Sequence, residues 1–194
     1  MFFRGRPGKQ EKNYMPKNLT NKKIAMVIAF KDFRDEEYFV PKQVFENNGA
    51  EVKTVSSEKG IAIGADGGEV EVDFLLADVN PAEFDAIVFI GGPGALKYLD
   101  NEDSYRLAQE TISVNKVLGA ICVSPVVLAK AGVLNNKKAT VWTSPLDKSA
   151  AKTLKENGAN YQAEMVVRDG LIVTGNGPAA AEEFAEKVSD LLIK

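Results

Sequence analysis

Three continuous apolar runs stand out along the chain, at residues 24–30, 86–90 and 117–121. None of them alternates between apolar and polar positions, so each predicts a strand that is buried on both faces. Segments with helical periodicity lie between and after these runs. Strands that alternate with helices are typical of an α/β fold, with a mostly parallel sheet and helices on both faces.

Weaker patterns predict the remaining elements. Further strands are predicted at residues 52–55 and 140–142, and two hairpins at 60–73 and 163–174, with turns at Asp66-Gly67 and Asp169-Gly170. The predicted helices cover residues 36–48, 102–114, 124–131, 147–157 and 179–193. Active groups of parallel α/β sheets lie just beyond the carboxyl ends of the strands, which directs attention to the residues after the buried runs.

Residues 1–22 are polar, basic and aperiodic. They predict a flexible N-terminal arm in front of a single domain over residues 23–194. A solvated tail is a better interpretation of the arm than a contact with nucleic acid or membrane.

The chain has no histidine and a single cysteine, and its net charge is -3. A Ser-His-Asp triad, a Cys-His dyad and a zinc site with histidine ligands are therefore excluded within one chain. One cysteine forms no intrachain disulfide, which favours a reducing compartment. No apolar run has the length of a signal peptide or a membrane helix, so we expect a cytoplasmic protein without nucleic-acid or membrane partners.

Cys122 lies where the run at 117–121 ends and the helix at 124–131 begins. A nucleophile on such a strand-to-helix turn is exposed at the edge of the sheet, and we expect the following helix N-terminus to lower the thiol pKa. The alternative is that Cys122 is only a small buried hydrophobe. The local pattern leaves both interpretations open.

Two further segments follow buried strands. Gly91 and Gly92 allow close approach of the backbone and can direct an N–H at a developing oxyanion, although a plain turn is the alternative. The expected P-loop continuation is absent, so a phosphate-binding loop is not predicted. After the first strand, Asp35 and Glu36 are expected to cap the first helix, whereas Glu37 begins its apolar face. Burial there would raise the Glu37 pKa and keep the carboxyl group protonated.

In this order, the pieces resemble the DJ-1/PfpI superfamily over about residues 22–193. The quoted motifs are DEEYFVP at 35–41, FDAIVFIGG at 84–92, AICVSP at 120–125, and LIVTGNGP at 171–178 followed by EEFA at 182–185. The resemblance implies a flavodoxin-like three-layer sandwich with a nucleophile elbow, assembled as a homodimer or a higher oligomer.

The same resemblance implies roles for individual residues. Cys122 matches the reactive cysteine, and Glu37 matches the carboxylic acid that hydrogen-bonds its sulfur. The N–H groups of Gly92 and Val123 match the oxyanion-hole donors. We expect Gly91, Trp142 and Ser144 to lie at the pocket, and no metal or organic cofactor to be required.

The departures from the family pattern concern proton transfer. Val123 stands where members of the peptidase type have a histidine, and residues 94–96 supply no glutamate. Ser144 stands where proteins similar to DJ-1 have a histidine. An intracellular cysteine peptidase is therefore disfavoured.

Two functions fit the residues that are present. The first is a cysteine-dependent enzyme of the glyoxalase or deglycase type that acts on small reactive carbonyls through Cys122 and Glu37. The alternative is a non-catalytic stress protein that senses oxidants by oxidation of Cys122. A pseudoenzyme is a third, less favoured interpretation. In either of the first two, Glu37→Ala is expected to raise the Cys122 pKa or to change its oxidation by peroxide.

Overall fold

A mostly parallel sheet forms the middle layer of the protein, for which a computed structural model describes residues 17–193. Within that range the sheet has seven strands in the order β11-β12-β8-β7-β1-β3-β6, and only β11 is antiparallel to its neighbour. A small three-stranded sheet, β2-β4-β5, and a pair, β9-β10, lie beside it. The strands are β1 Lys23–Val27, β2 Lys31–Phe33, β3 Glu51–Ser56, β4 Ile61–Gly64, β5 Glu69–Glu71, β6 Phe74–Leu75, β7 Ala86–Phe89, β8 Val117–Ile121, β9 Lys138–Ala139, β10 Asn160–Tyr161, β11 Val166–Asp169 and β12 Ile172–Gly175.

Helices cover the sheet on both faces. They are α1 Asp35–Asn47, α2 Ala95–Tyr98, α3 Glu102–Ser113, α4 Pro125–Lys130, α5 Ser149–Glu156 and α6 Ala181–Leu192, and short 3₁₀ turns occur at Leu76–Asp78, Pro81–Glu83 and Pro178–Ala180. α1 and α6 pack together on one face, and α3, α4 and α5 pack on the other. The predicted flavodoxin-like three-layer α/β sandwich is confirmed.

Alternate residues of β1 explain why its sequence is apolar throughout. Ile24 and Met26 contribute to the core under α1 and α6, whereas Ala25 and Val27 contribute to the core on the opposite face. Successive side chains of a strand point to opposite faces, so a strand covered on both sides has no polar face. Full burial of an aliphatic side chain contributes roughly 1.5–3 kcal/mol, so a polar substitution at any of these positions would be costly.

The predicted strand at residues 140–142 is wrong. The strand there is β9, which ends at Ala139, and the chain then leaves the ladder. The Thr140 N–H donates to the Thr174 hydroxyl, at 2.9 Å, and the Trp142 N–H donates to the Cys122 carbonyl, at 2.8 Å. The N–H groups of Thr140 and Trp142 thus bond to a side-chain oxygen and to the Cys122 turn, and not to a neighbouring strand.

The two predicted hairpins are present as β4-β5 and β11-β12. Residues 1–16, most of the predicted arm, lie outside the described residues. Within residues 17–22, Leu19 is fully buried and the Lys17 ammonium group lies 2.8 Å from the Asp190 carboxylate. The division into an arm and a domain at residue 22 stays a prediction, but this last part of it packs against the domain. Within residues 17–193, no helix combines the length and the apolar character needed to cross a membrane.

Candidate functional site

Cys122 occupies a left-handed turn between β8 and α4, with φ of 64°. An L-residue other than glycine pays roughly 1–2 kcal/mol for this conformation. Hydrogen bonds on both sides of the residue hold the turn: the Cys122 N–H donates to the Gly175 carbonyl, at 2.9 Å, and its own carbonyl accepts from Trp142. The predicted nucleophile elbow is therefore confirmed, but Cys122 is buried, with only 7% of the residue exposed, and not exposed as expected.

Two glycines after β7 bring the backbone against the elbow. A Cβ atom on Gly91 would lie 2.4 Å from the Cys122 Cβ and 2.7 Å from the Glu37 Oε2. Gly92 has φ of 118°, and a Cβ atom there would lie 2.3 Å from the Arg34 nitrogen. Because any larger residue at position 91 would separate the thiol from the carboxyl group, glycine is what allows the two to approach each other.

Glu37 is fully buried in the first turn of α1. Desolvation raises the pKa of its carboxyl group to about 7, although the Cys122 thiol, the Arg34 guanidinium and the Gly91 N–H all act to lower it. Among the described residues, none meets strict hydrogen-bond geometry with either Glu37 oxygen. Glu37 is therefore a buried, loosely partnered carboxyl group that titrates near neutral pH, as its position on the apolar face predicted.

The pKa of the Cys122 thiol is raised, whereas the sequence predicted that it is lowered. Burial is the largest cause that raises the pKa of Cys122, followed by the nearby charge of Glu37 and by the close contact of the thiol with that carboxylate. The N–H groups of Gly92 and Val123 oppose this shift. The predicted lowering by the helix N-terminus is wrong in direction, because α4 is only six residues long and desolvation outweighs its effect.

The signs of these shifts identify Glu37 and Cys122 as one titrating unit. A charge on Glu37 disfavours a charge on Cys122, so the pair gains one negative charge as the pH rises through about 7 and a second only at much higher pH. The expectation that Glu37→Ala raises the Cys122 pKa is reversed by the same argument. Removal of the carboxylate should lower that pKa.

Cys122 lines a pocket with a volume of about 300 Å³. Its described lining consists of Arg34, Gly92, Pro93, Cys122, Val123, Trp142 and Pro178. Of the predicted pocket residues, Trp142 forms part of the wall, and Gly91 is buried between Glu37 and Cys122. Ser144 lies outside this lining, and its hydroxyl oxygen accepts a hydrogen bond from the Asp147 N–H, at 3.0 Å.

Sequence reasoning overlooked Arg34. This residue directly precedes α1 and lines the pocket, and its guanidinium group acts electrostatically on Glu37. β2, the strand before it, belongs to the small sheet and was not predicted, so no strand end in the sequence marked Arg34. Asp35 does not cap α1 as predicted: its carboxylate accepts the N–H groups of Asp66 and Gly68, at 2.8 and 2.6 Å, and so anchors the β4–β5 turn.

The part of the chain that the structure describes offers no set of metal ligands. No three Asp, Glu or Cys side chains of residues 17–193 converge closely enough to hold a metal ion. The grouping of a thiol, a carboxyl group and backbone N–H donors is suited instead to covalent chemistry at the sulfur.

Backbone strain at the elbow can be measured with two variants that both lack the thiol. We expect Cys122→Gly to be more stable than Cys122→Ala by about 1 kcal/mol, because glycine adopts the left-handed conformation without steric cost. Chemical denaturation of the two variants measures the difference. Greater stability of the alanine variant would show that the turn stores no strain.

Burial of Glu37 makes stability depend on pH. Its pKa of about 7 lies above the ordinary value of 4.5, so the folded state loses stability as pH rises from about 4.5 to about 7. The difference in free energy of unfolding between Glu37→Gln and wild type should therefore move in favour of the variant between pH 4 and pH 8. From the size of the pKa shift, this change is about 3 kcal/mol. Denaturation at the two pH values tests this. Glu58→Gln, at an exposed position, controls for the lost charge, and an equal gain in that variant would contradict the assignment.

Comparison with known proteins shows the family of the chain. MJ0967 of Methanocaldococcus jannaschii, an uncharacterized protein, is 46% identical over 177 residues, which cover 91% of this chain and 85% of that protein. Deglycase PH1704 of Pyrococcus horikoshii is 32% identical over 154 residues, which cover 79% and 90%. The crystal structure of a ThiJ/PfpI domain protein from Brachyspira murdochii has a TM-score of 0.82 at 34% identity, and the match covers 91% of this chain and 97% of that chain. A profile of the DJ-1/PfpI family matches residues 22–191, and the chain belongs to that family.

Proposed function

We propose that the protein converts small reactive carbonyl compounds by covalent catalysis at Cys122, with Glu37 as the acid and base. The observation that carries this proposal is the buried Glu37 carboxyl group, whose pKa of about 7 suits it to both roles beside the only cysteine of the chain. The relative PH1704, which is named a deglycase, supports the same class of chemistry.

The first step is activation and attack. Ionised Glu37 accepts the proton of the Cys122 thiol, and the thiolate adds to the aldehyde carbon of a 2-oxoaldehyde such as methylglyoxal. A carbon–sulfur bond forms while the carbonyl π bond breaks, and its electron pair becomes an oxyanion. The N–H groups of Gly92 and Val123, which already lower the pKa of the sulfur, are placed to stabilise that oxyanion beside it.

The second step moves hydrogen between two carbon atoms. The oxyanion of the hemithioacetal takes back the thiol proton from Glu37, which is thereby ionised again. Glu37 then removes the proton on the former aldehyde carbon and delivers it to the neighbouring ketone carbon through an enediol, while the hydroxyl proton passes from the first oxygen to the former ketone oxygen. The aldehyde carbon is thereby oxidised to a thioester and the ketone carbon is reduced to an alcohol, so no external oxidant is needed. Water then hydrolyses the thioester, and lactate and the Cys122 thiol are released.

One acid–base group replaces the missing histidines in this scheme. Glu37 is protonated and unprotonated in comparable amounts near neutral pH, so it serves successive steps in both directions. A peptidase would require a proton donor for a leaving amine, and Val123 supplies none where peptidase-type members have histidine. The small pocket of about 300 Å³ also favours a compact substrate.

Methylglyoxal consumption, with lactate identified as the product, tests the proposal. We expect Cys122→Ser and Glu37→Gln each to lose about 100-fold or more in kcat/KM, because the first removes the nucleophile and the second removes the base. Glu58→Gln should retain the wild-type rate. Wild-type turnover no faster than that of Cys122→Ser would contradict the proposal for this substrate.

A redox-sensing role is the second candidate, and the buried contact between the thiol and a readily protonated carboxyl group favours it. Hydrogen peroxide oxidises the thiolate to sulfenate and is reduced to water, and a second peroxide converts sulfenate to sulfinate. Protonated Glu37 would donate a hydrogen bond to a sulfinate oxygen and stabilise that state.

Peroxide treatment followed by mass spectrometry tests this second role. We expect the wild-type peptide that contains Cys122 to stop after the gain of two oxygen atoms, and Glu37→Ala to proceed to three. Alanine is used because it has no donor for the sulfinate. The same end point in both proteins would remove Glu37 from this role.

A further inference from the structure

Arg34 is the charged member of an otherwise uncharged pocket wall around Cys122. The other described lining residues are glycine, proline, valine and tryptophan, apart from the cysteine itself. A guanidinium group in such a setting is well suited to recognise a carboxylate, since its planar fork of N–H donors matches two carboxylate oxygens.

Much of the hydrogen-bonding capacity of Arg34 is unused within the described residues. Its Nε atom is buried and has no hydrogen-bond partner there. Its Nη1 atom lies 3.5 Å from the Asp66 Oδ2, and the Asp66 side chain is 62% exposed. Charge-assisted hydrogen bonds normally measure about 2.7–2.9 Å, so this is a loose surface pair that a better-placed carboxylate can displace.

The backbone fixes Arg34 against the reactive centre. Its N–H donates to the Gly91 carbonyl, at 3.0 Å, and Gly92 packs directly on its nitrogen. The guanidinium group also acts electrostatically on Glu37, so it lies within range of the carboxyl group beside Cys122. An anion held by Arg34 would therefore lie at the mouth of the same site.

We propose that Arg34 binds a carboxylate of the substrate, and that the substrates of this site are small aldehydes and 2-oxoaldehydes that carry a carboxylate group. This inference rests on the proposed function, because it places the substrate of that reaction in the Cys122 pocket. Neutral methylglyoxal then reacts without the contact to Arg34, whereas an oxo acid gains it.

Two alkylating reagents isolate the charge recognition from turnover. Iodoacetate and iodoacetamide transfer nearly the same group to the sulfur, with iodide as the leaving group, but only iodoacetate carries a carboxylate. Cys122 is the only cysteine, so labelling reports on this site alone. The ratio of the two rates cancels the fraction of thiolate, which makes it independent of any change in the Cys122 pKa.

We expect the ratio of the labelling rate with iodoacetate to that with iodoacetamide to be about tenfold lower in Arg34→Gln than in wild type. Arg34→Lys should lose part of the ratio, because it keeps the charge but not the fork. Asp66→Asn should raise the ratio, because it frees the guanidinium group. Arg168→Gln, at an exposed position on β11, is the control and should keep the wild-type value. Equal ratios in wild type and Arg34→Gln would overturn the inference, and an unchanged ratio in Asp66→Asn would contradict the displacement of Asp66.

Reversible protection by glyoxylate, which carries both an aldehyde and a carboxylate, gives a second measurement. Glyoxylate should slow the labelling of wild-type Cys122 by iodoacetamide about tenfold more effectively than its neutral amide, glyoxylamide, does, and Arg34→Gln should abolish that preference. Equal protection by the two compounds would overturn the inference. If protection is equal but methylglyoxal is turned over, the proposed function stands and only the role of Arg34 is overturned. If labelling is charge-selective but methylglyoxal is not turned over, Arg34 is an anion site and the proposed reaction is overturned.

Discussion

Glu37 and Cys122 are both buried, and only one of them can carry a negative charge near neutral pH at an acceptable cost. Desolvation raises both pKa values, and the charge on the carboxylate raises that of the thiol further. The proton of the thiol can therefore leave most easily to Glu37 itself. This coupling makes a single carboxyl group competent as base and acid in a chain without histidine.

The fold holds this unfavourable arrangement in place with rigid parts. β7 and β8 are entirely buried, and they place Gly91 and Cys122 at adjacent strand ends. Backbone hydrogen bonds to the Gly175 carbonyl and from the Trp142 N–H hold the left-handed turn at Cys122. The burial of apolar side chains on both faces of the sheet offsets the strain and the desolvation that the site imposes.

Much of this architecture follows from the sequence because it depends on local patterns. Continuous apolar runs predict buried parallel strands, and a cysteine between a strand and a proline-initiated helix predicts the elbow. The prediction of a strand at 140–142 was wrong because the N–H groups of Thr140 and Trp142 donate to Thr174 and Cys122, which are distant in sequence.

The electrostatics of the site could be predicted only in part. The burial of Glu37 followed from the helical periodicity of α1. The raised pKa of the thiol did not follow, because it depends on how far Cys122 is buried and on its contact with Glu37, and a one-dimensional pattern gives neither. Arg34 was missed for a similar reason: its pocket contact depends on how Gly91 and Gly92 pack against it.

The shared charge can be tested most directly by the pH dependence of Cys122 alkylation by iodoacetamide in wild type and in Glu37→Gln. The amide keeps the size of the side chain but removes the charge that opposes the thiolate. The account predicts that the apparent pKa of Cys122 falls in the variant, so that labelling begins at lower pH. An apparent pKa that is unchanged or higher in Glu37→Gln would contradict the account, because it would show that Glu37 and Cys122 titrate independently or that Glu37 stabilises the thiolate.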